Sequence, residues 1–150
     1  ELKSVMEAVK KQFADISKEN VGVGSTIFAV KPGDGSAREQ AASCQRVLGG
    51  CANICYEFAT KRYRSNCVNW GMLPFTLAEG AAFDGDAGDF VYVPGVREKL
   101  ARGDEEFPAV LVHKGEAQPI TLHLKNTSAE ERELLLTGCL MNHYAAQNRR

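Results

Sequence analysis

Ser36 and Arg38 are the residues of this sequence whose types and spacing could do chemistry together. They stand in the stretch KPGDGSAREQ, residues 31–40. There Pro32, Gly33 and Gly35 force a tight turn between a β-rich run at residues 25–30 and a run of helical character at residues 38–48. A hydroxyl and a guanidinium are offered side by side at the start of a helix. The first backbone N–H groups of a helix have no partner within it and lie at the positive end of its dipole, so an anion binds there readily.

The same residues support a structural reading. Ser36-Ala37-Arg38-Glu39 has the S-x-x-E pattern of a capping box, in which the serine hydroxyl accepts from the backbone N–H three residues on and the glutamate reaches back. The two readings do not exclude each other, but one hydroxyl cannot fully serve both.

The elements that must position this turn follow from hydrophobic periodicity. Leu2, Val5, Met6, Val9, Phe13 and Ile16 recur at helical spacing, which predicts an amphipathic helix over residues 2–17. Asn20, Gly22 and Gly24 break it. A strand at 25–30, the helix at 38–48 stopped by Gly49-Gly50, and a strand at about 52–58 make a βαβ crossover, whose ligands sit where strands end and helices begin. A short helix is expected at 60–70 with Lys61, Arg62 and Arg64 near its start. Cations oppose the helix dipole there, so they are either solvated on an open face or line a site for a polycarboxylate. Residues 72–77 read as extended, and Trp70 as a core or interface aromatic.

The acidic stretch 78–89 places Asp84, Asp86 and Asp89 among glycines, but it lacks the closing glutamate of a calcium loop and reads as a solvated turn. A strand is expected at 90–93, a turn of helix at 96–101, and a hairpin from 109–113 and 119–124 around Gly115. His113 and His123 lie on those strands with no acidic partner at an obvious offset, and read as surface or satisfied residues. Ser128-Ala129-Glu130-Glu131 is a second capping box. It opens a helix that runs through Leu134 to Tyr144 and frays over 147–150. The whole, residues 1–150, reads as one mixed α/β domain with its helices on one side of a sheet.

Composition bounds the function. The chain has 150 residues, 44 % of them apolar, and a net charge of −1. No apolar run approaches the roughly 20 residues that span a bilayer, and the basic residues form no stripe, so neither a membrane nor a nucleic acid is the expected partner. A small molecule or a protein is. The first residues lack the apolar core of a signal peptide, and the opening at Glu1 implies a piece cut from something longer. Cysteines 44, 51, 55, 67 and 139 are too few and too odd in number for a disulfide scaffold. They read as reduced, buried or half-buried thiols of a cytoplasmic protein. The C-x-x-x-C of Cys51 and Cys55 is a weak metal pattern without a second pair, and reads as small core residues.

Taken together, Gly35-Ser36-Ala37-Arg38-Glu39-Gln40, Leu48-Gly49-Gly50, Asn66 and Gly71-Met72-Leu73-Pro74 resemble, in order and spacing, the C-terminal swivel domain of the aconitase superfamily. That superfamily includes aconitases, homoaconitases and isopropylmalate isomerases, and the resemblance runs from about Val23 to Tyr144. It implies a swivelling β/β/α fold that docks on a larger three-domain body carrying a [4Fe–4S] cluster. It also implies a hydro-lyase reaction, the dehydration and rehydration of a hydroxy di- or tricarboxylate such as citrate or isocitrate. Ser36 matches the family's serine base and Arg38 its carboxylate-binding arginine. Gly35 and Arg64 join Arg38 as candidate substrate-binding residues, with Lys61 and Arg62 secondary.

Ala37 and Gln40 depart from the family's common second serine and histidine. The five cysteines do not match the spacing of its cluster ligands, so this chain would supply a base and an arginine but no Lewis acid, and would not turn over substrate alone. The family's Asp/Asn/Thr-rich leading strand has no counterpart before Lys18, which favours part of one long polypeptide. The alternatives are the free small subunit of an isopropylmalate-type isomerase, paired with a separate large subunit, and a non-catalytic ligand-binding domain that kept the fold.

Overall fold

The parallel β–α–β alternation read from the sequence forms. In the computed structural model, which describes residues 2–148, β1 (Ser25–Ala29) pairs in parallel with β2 (Gly50–Cys55) across α2 (Arg38–Val47). α3 (Lys61–Asn69) then carries the chain to β3 (Leu73–Thr76), again parallel. The second half is antiparallel. β4 (Phe90–Tyr92) and α4 (Val96–Arg102) lead into the hairpin of β5 (Glu106–His113) and β6 (Glu116–His123), closed at Lys114-Gly115. The sheet order is β1-β2-β3-β6-β5-β4, and the two halves meet where Thr76 of β3 opposes His123 of β6. This is the mixed sheet with helices expected of the swivel-type domain.

The main core joins both halves. Ile54, Phe75, Leu122 and Phe107 come from β2, β3, β6 and β5, and they are covered by Val68 of α3, Leu100 of α4, and Leu134 and Leu135 of α5 (Ala129–Thr137). Burying side chains of this size contributes about 1.5–3 kcal/mol each. Alternation along β5 turns Val110 and Val112 to the opposite face, where they pack against Met6, Ala8 and Val9 of α1 (Leu2–Lys10) and against Ile16. The expectation that all helices share one side is corrected here. α3, α4 and α5 share a core on one face, whereas α1 covers the other face of β5, which is why residues 109–112 are continuously buried.

Two helices differ in extent from the sequence reading. α1 stops at Lys10 rather than 17, although Phe13 and Ile16 still reach its apolar cluster. The final helix is two, α5 and α6 (Leu140–Gln147), broken at Gly138; the fraying expected at 149–150 lies outside the described residues. The break has a packing cause. Gly71, at φ +73°, presses on the Gly138 carbonyl so closely that a Cβ at position 71 would lie 1.6 Å from that oxygen. The glycine opening the Gly-Met-Leu-Pro motif is a contact requirement between the end of α3 and the α5–α6 corner.

Two polar features carry no sequence signal. Arg132 is buried, and its guanidinium donates to three backbone carbonyls, those of Asp104 (2.8 Å), Leu100 (3.5 Å) and Thr127 (3.5 Å). Leu100 lies at the C-terminal, negative end of α4, which suits a cation. The cysteines are free, but only Cys55 and Cys67 are buried and Cys139 is half-buried; Cys44 and Cys51 are exposed, which corrects their reading as core thiols.

Candidate active site

The loop between β1 and α2 rests on the start of α3. The Ala59 N–H donates to the Pro32 carbonyl (2.9 Å), and the Thr60 hydroxyl donates to the Gly33 carbonyl (2.9 Å). The same hydroxyl accepts the Tyr63 N–H (3.2 Å) and so caps α3. Gly33, at φ +94°, lies on the Tyr63 side chain, where a Cβ would stand 2.5 Å from three of its atoms. Any side chain there would lift the loop.

Beneath the loop is a closed ring of hydrogen bonds between buried Asn53 and Tyr63 and half-buried Gln45. The Asn53 amide donates to Gln45 Oε1 (3.0 Å), the Gln45 amide donates to the Tyr63 hydroxyl (2.8 Å), and that hydroxyl donates to Asn53 Oδ1 (3.1 Å). Asn53 also reaches the Cys67 sulfur (3.5 Å). Burial pushes the Tyr63 phenol up to about 12 and the Cys67 thiol up to about 11, so the ring is neutral across the ordinary pH range. It ties β2, α2 and α3 together below the candidate site. The one clue in the sequence was an asparagine inside an otherwise apolar strand; buried polar groups of this kind demand partners.

At the start of α2 the first capping box does not form. Ala37 is the N-cap and has no side-chain capping bond, so the helix begins one residue later than the Ser36 box requires. Glu39 instead accepts the Trp70 indole N–H at 2.6 Å. Ser36 is exposed, and its hydroxyl has no hydrogen bond among the described residues. Arg38 is half-buried, and its Nε is enclosed without a partner among the described residues. The second box forms as expected: Ser128 Oγ accepts the Glu131 N–H (3.1 Å) and Glu131 Oε2 accepts the Ser128 N–H (2.9 Å).

Of the other candidates, Gly35 adjoins this pair and Arg64 is bonded to a different helix. Gly35 is exposed beside Ser36 and has open space where a side chain would go. Arg64 is engaged elsewhere: it donates to Glu131 Oε1 (2.8 Å) and to the Thr127 hydroxyl (2.9 Å), tying α3 to the start of α5. Lys61 and Arg62 are exposed. His113, expected to lack an acidic partner, has one: its Nδ1 lies 2.6 Å from Asp89 Oδ2. The offset is long because the partner sits beyond α4 in the turn before β4. The Asp86 N–H (2.6 Å) and His113 together hold the Asp89 carboxyl below the usual carboxylate range.

Among the described residues no group of three or more His, Cys, Asp or Glu side chains could hold a metal ion. Burial pushes the Cys55 thiol up to about 12, so it and Cys67 stay protonated rather than offering thiolates. These residues do not fit a [4Fe–4S] cluster. Among the same residues, no helix is long and apolar enough to cross a membrane.

Among the described residues, the start of α2 thus has an exposed, unengaged hydroxyl, no side-chain cap and an arginine Nε without a partner. The sequence profile of the aconitase C-terminal domain matches residues 11–80. Over 112 residues, 73 % of this chain, the sequence is 35 % identical to a protein of Emericella nidulans named as a candidate mitochondrial aconitate hydratase. Aconitate hydratase A of Rickettsia bellii is 30 % identical over 131 residues, 85 % of this chain. These matches cover only 14 % and 15 % of the lengths of the two relatives. The crystal structure of 3-isopropylmalate dehydratase from Methanocaldococcus jannaschii has the same fold, with a TM-score of 0.55 at 24 % identity over 87 % of this chain and 68 % of that one. The profile and the relatives mark the chain as a C-terminal swivel domain of the aconitase superfamily, and the shared fold agrees.

Proposed function

We propose that this domain works within a longer aconitase-type hydro-lyase that interconverts hydroxy di- or tricarboxylates of the citrate and isocitrate kind. Ser36 serves as the base and Arg38 as the carboxylate clamp. The observation that carries the reading is the offset at α2. Ser36 stands one residue outside the helix cap, exposed and without a hydrogen-bond partner among the described residues, next to an arginine whose Nε is enclosed and unpaired.

In such a dehydration a proton leaves the carbon next to a carboxylate while hydroxide leaves the neighbouring carbon, and rehydration reverses both. A serine hydroxyl is too weak an acid to ionise unaided near neutral pH, so its alkoxide needs nearby positive potential. The uncapped N–H groups at the start of α2 and the Arg38 guanidinium supply it. The loop's bonds to Ala59 and Thr60 and its seat on Tyr63 hold the base, which must come within about 3 Å of the proton it removes. Arg38 takes a substrate carboxylate, and backbone at Gly35 can approach the substrate closely. Arg64, paired with Glu131, contributes by fastening α3 rather than by touching substrate.

An enzyme of this family carries a [4Fe–4S] cluster as its Lewis acid, and the cluster would come from domains outside this chain. The partner is the remainder of one long polypeptide, which the similarity to whole aconitate hydratases favours over a separate large subunit. Five free thiols suit a reducing compartment, the cytoplasm or, as the name of the Emericella relative has it, the mitochondrion. The test is Ser36→Ala in the longer enzyme. Loss of dehydration by a factor of about 10² or more with the substrate KM retained supports the base, and an unchanged rate removes it.

A further inference from the structure

We propose that Trp70 is a positioning residue for the Ser36 turn: its indole N–H holds the Glu39 carboxylate and so keeps Ser36 from capping α2. The proposal rests on the reading of Ser36 as a base. It starts from a conflict between sequence and structure. Ser36-x-x-Glu39 is a complete capping box on paper, as good as the Ser128-x-x-Glu131 box that forms in the same molecule. Around Ser36 it does not form, and the missing half can be traced, since the carboxylate that should reach back to the Ser36 backbone is bonded to Trp70 at 2.6 Å.

The indole is well placed to win that competition. Trp70 is the C-cap of α3, and its own N–H is bonded to the Asn66 carbonyl at 3.1 Å. Its side chain packs against the buried cluster of Ala42, Tyr63, Cys67 and Met72. The next residue, Gly71, is wedged on the Gly138 carbonyl. The donor is ordered before the bond forms, and a neutral N–H meeting a carboxylate makes one of the stronger hydrogen bonds. A backbone N–H offered by an exposed loop has no such advantage. The consequence falls on Ser36. A closed box would engage its hydroxyl with the Glu39 N–H and draw the serine into the helix start; with Glu39 held by Trp70, the hydroxyl is left open to solvent and to substrate.

The test uses hydrogen exchange of the chain followed by NMR, with turnover measured separately in the longer enzyme. Trp70 is the only tryptophan, so one indole N–H resonance reports the bond. It is expected to exchange roughly tenfold more slowly than a free indole, and exchange at the free rate overturns the proposal. In Trp70→Phe the Glu39 carboxylate is released, the box closes, and the Glu39 backbone amide is expected to exchange roughly tenfold more slowly than in the wild type. General loosening would speed that amide instead, so unchanged or faster exchange overturns the proposal. If Trp70→Phe does not fold, the wild-type indole measurement still decides. In the longer enzyme Trp70→Phe is expected to lower kcat about tenfold, and Glu39→Gln, whose amide oxygen still accepts the indole N–H, to keep more of it than Glu39→Leu. If Ser36→Ala leaves turnover intact, the base assignment fails while the exchange result stands on its own.

Discussion

Arg64 and Glu131 grip one another across α3 and α5, with Nη1 2.8 Å from Oε1, and the same glutamate completes the cap of α5 through Ser128. Arg64→Ala therefore removes a bond and loosens a cap. It is expected to lower stability by about 1 kcal/mol in urea denaturation, since both side chains are only partly exposed. Substrate KM in the longer enzyme should not change, and a clear rise would return Arg64 to the substrate site.

The two glycines of the turn between β1 and α2 should behave oppositely. Gly33→Ala forces a Cβ against Tyr63 at a positive φ and is expected to cost about 1–3 kcal/mol, read as a lower midpoint of denaturation. Gly35→Ala meets nothing within 4 Å and should leave stability within about 0.5 kcal/mol. Any loss of substrate affinity in Gly35→Ala would then report on the site rather than on folding.

The Asn53–Gln45–Tyr63 ring makes a stability prediction. Asn53→Leu leaves the Gln45 oxygen without its donor and the Tyr63 hydroxyl, still accepting from the Gln45 amide, without its acceptor, at a cost of about 2–3 kcal/mol. Tyr63→Phe removes one member and is expected to cost about 1–2 kcal/mol. Equilibrium denaturation of both, with the double variant, measures how far the ring acts as a unit.

Asp89 sets a pH dependence. Its folded-state pKa is depressed, first by the Asp86 N–H and then by His113, so the ionised carboxylate stabilises the fold above the unfolded value of about 3.9. That contribution is lost as pH falls through the lower folded value. Asp89→Asn should lower Tm near neutral pH, and its difference from the wild type should shrink below about pH 4. A constant difference across that range would show that the carboxylate's charge is immaterial.

Periodicity made the βαβ unit, the β5–β6 hairpin and the Ser128 cap legible in the sequence, because each is a local pattern with its own stop signal. What stayed hidden was long-range. Asp89 finds His113 across 24 positions, Trp70 finds Glu39 across 31, and Gly71 finds Gly138 through space alone. The Ser36 box shows the limit most clearly. Its local signal was sound, and a tertiary bond to one of its members overruled it. Ser36 and Arg38 could be picked out as a pair, but the reason the hydroxyl is left uncapped lies in α3, which no spacing around residue 36 reveals.

Among the described residues β1 has one neighbour only, β2, and four of its five residues are exposed, with Ile27 and Phe28 among them and Val30 just beyond. A border strand of this kind offers a ladder of unmet amides and carbonyls to whatever extended chain drifts past. Handled alone at high concentration, the domain should scatter light increasingly with time, and a lysine substituted for Ile27 should suppress that growth without disturbing the turn that follows.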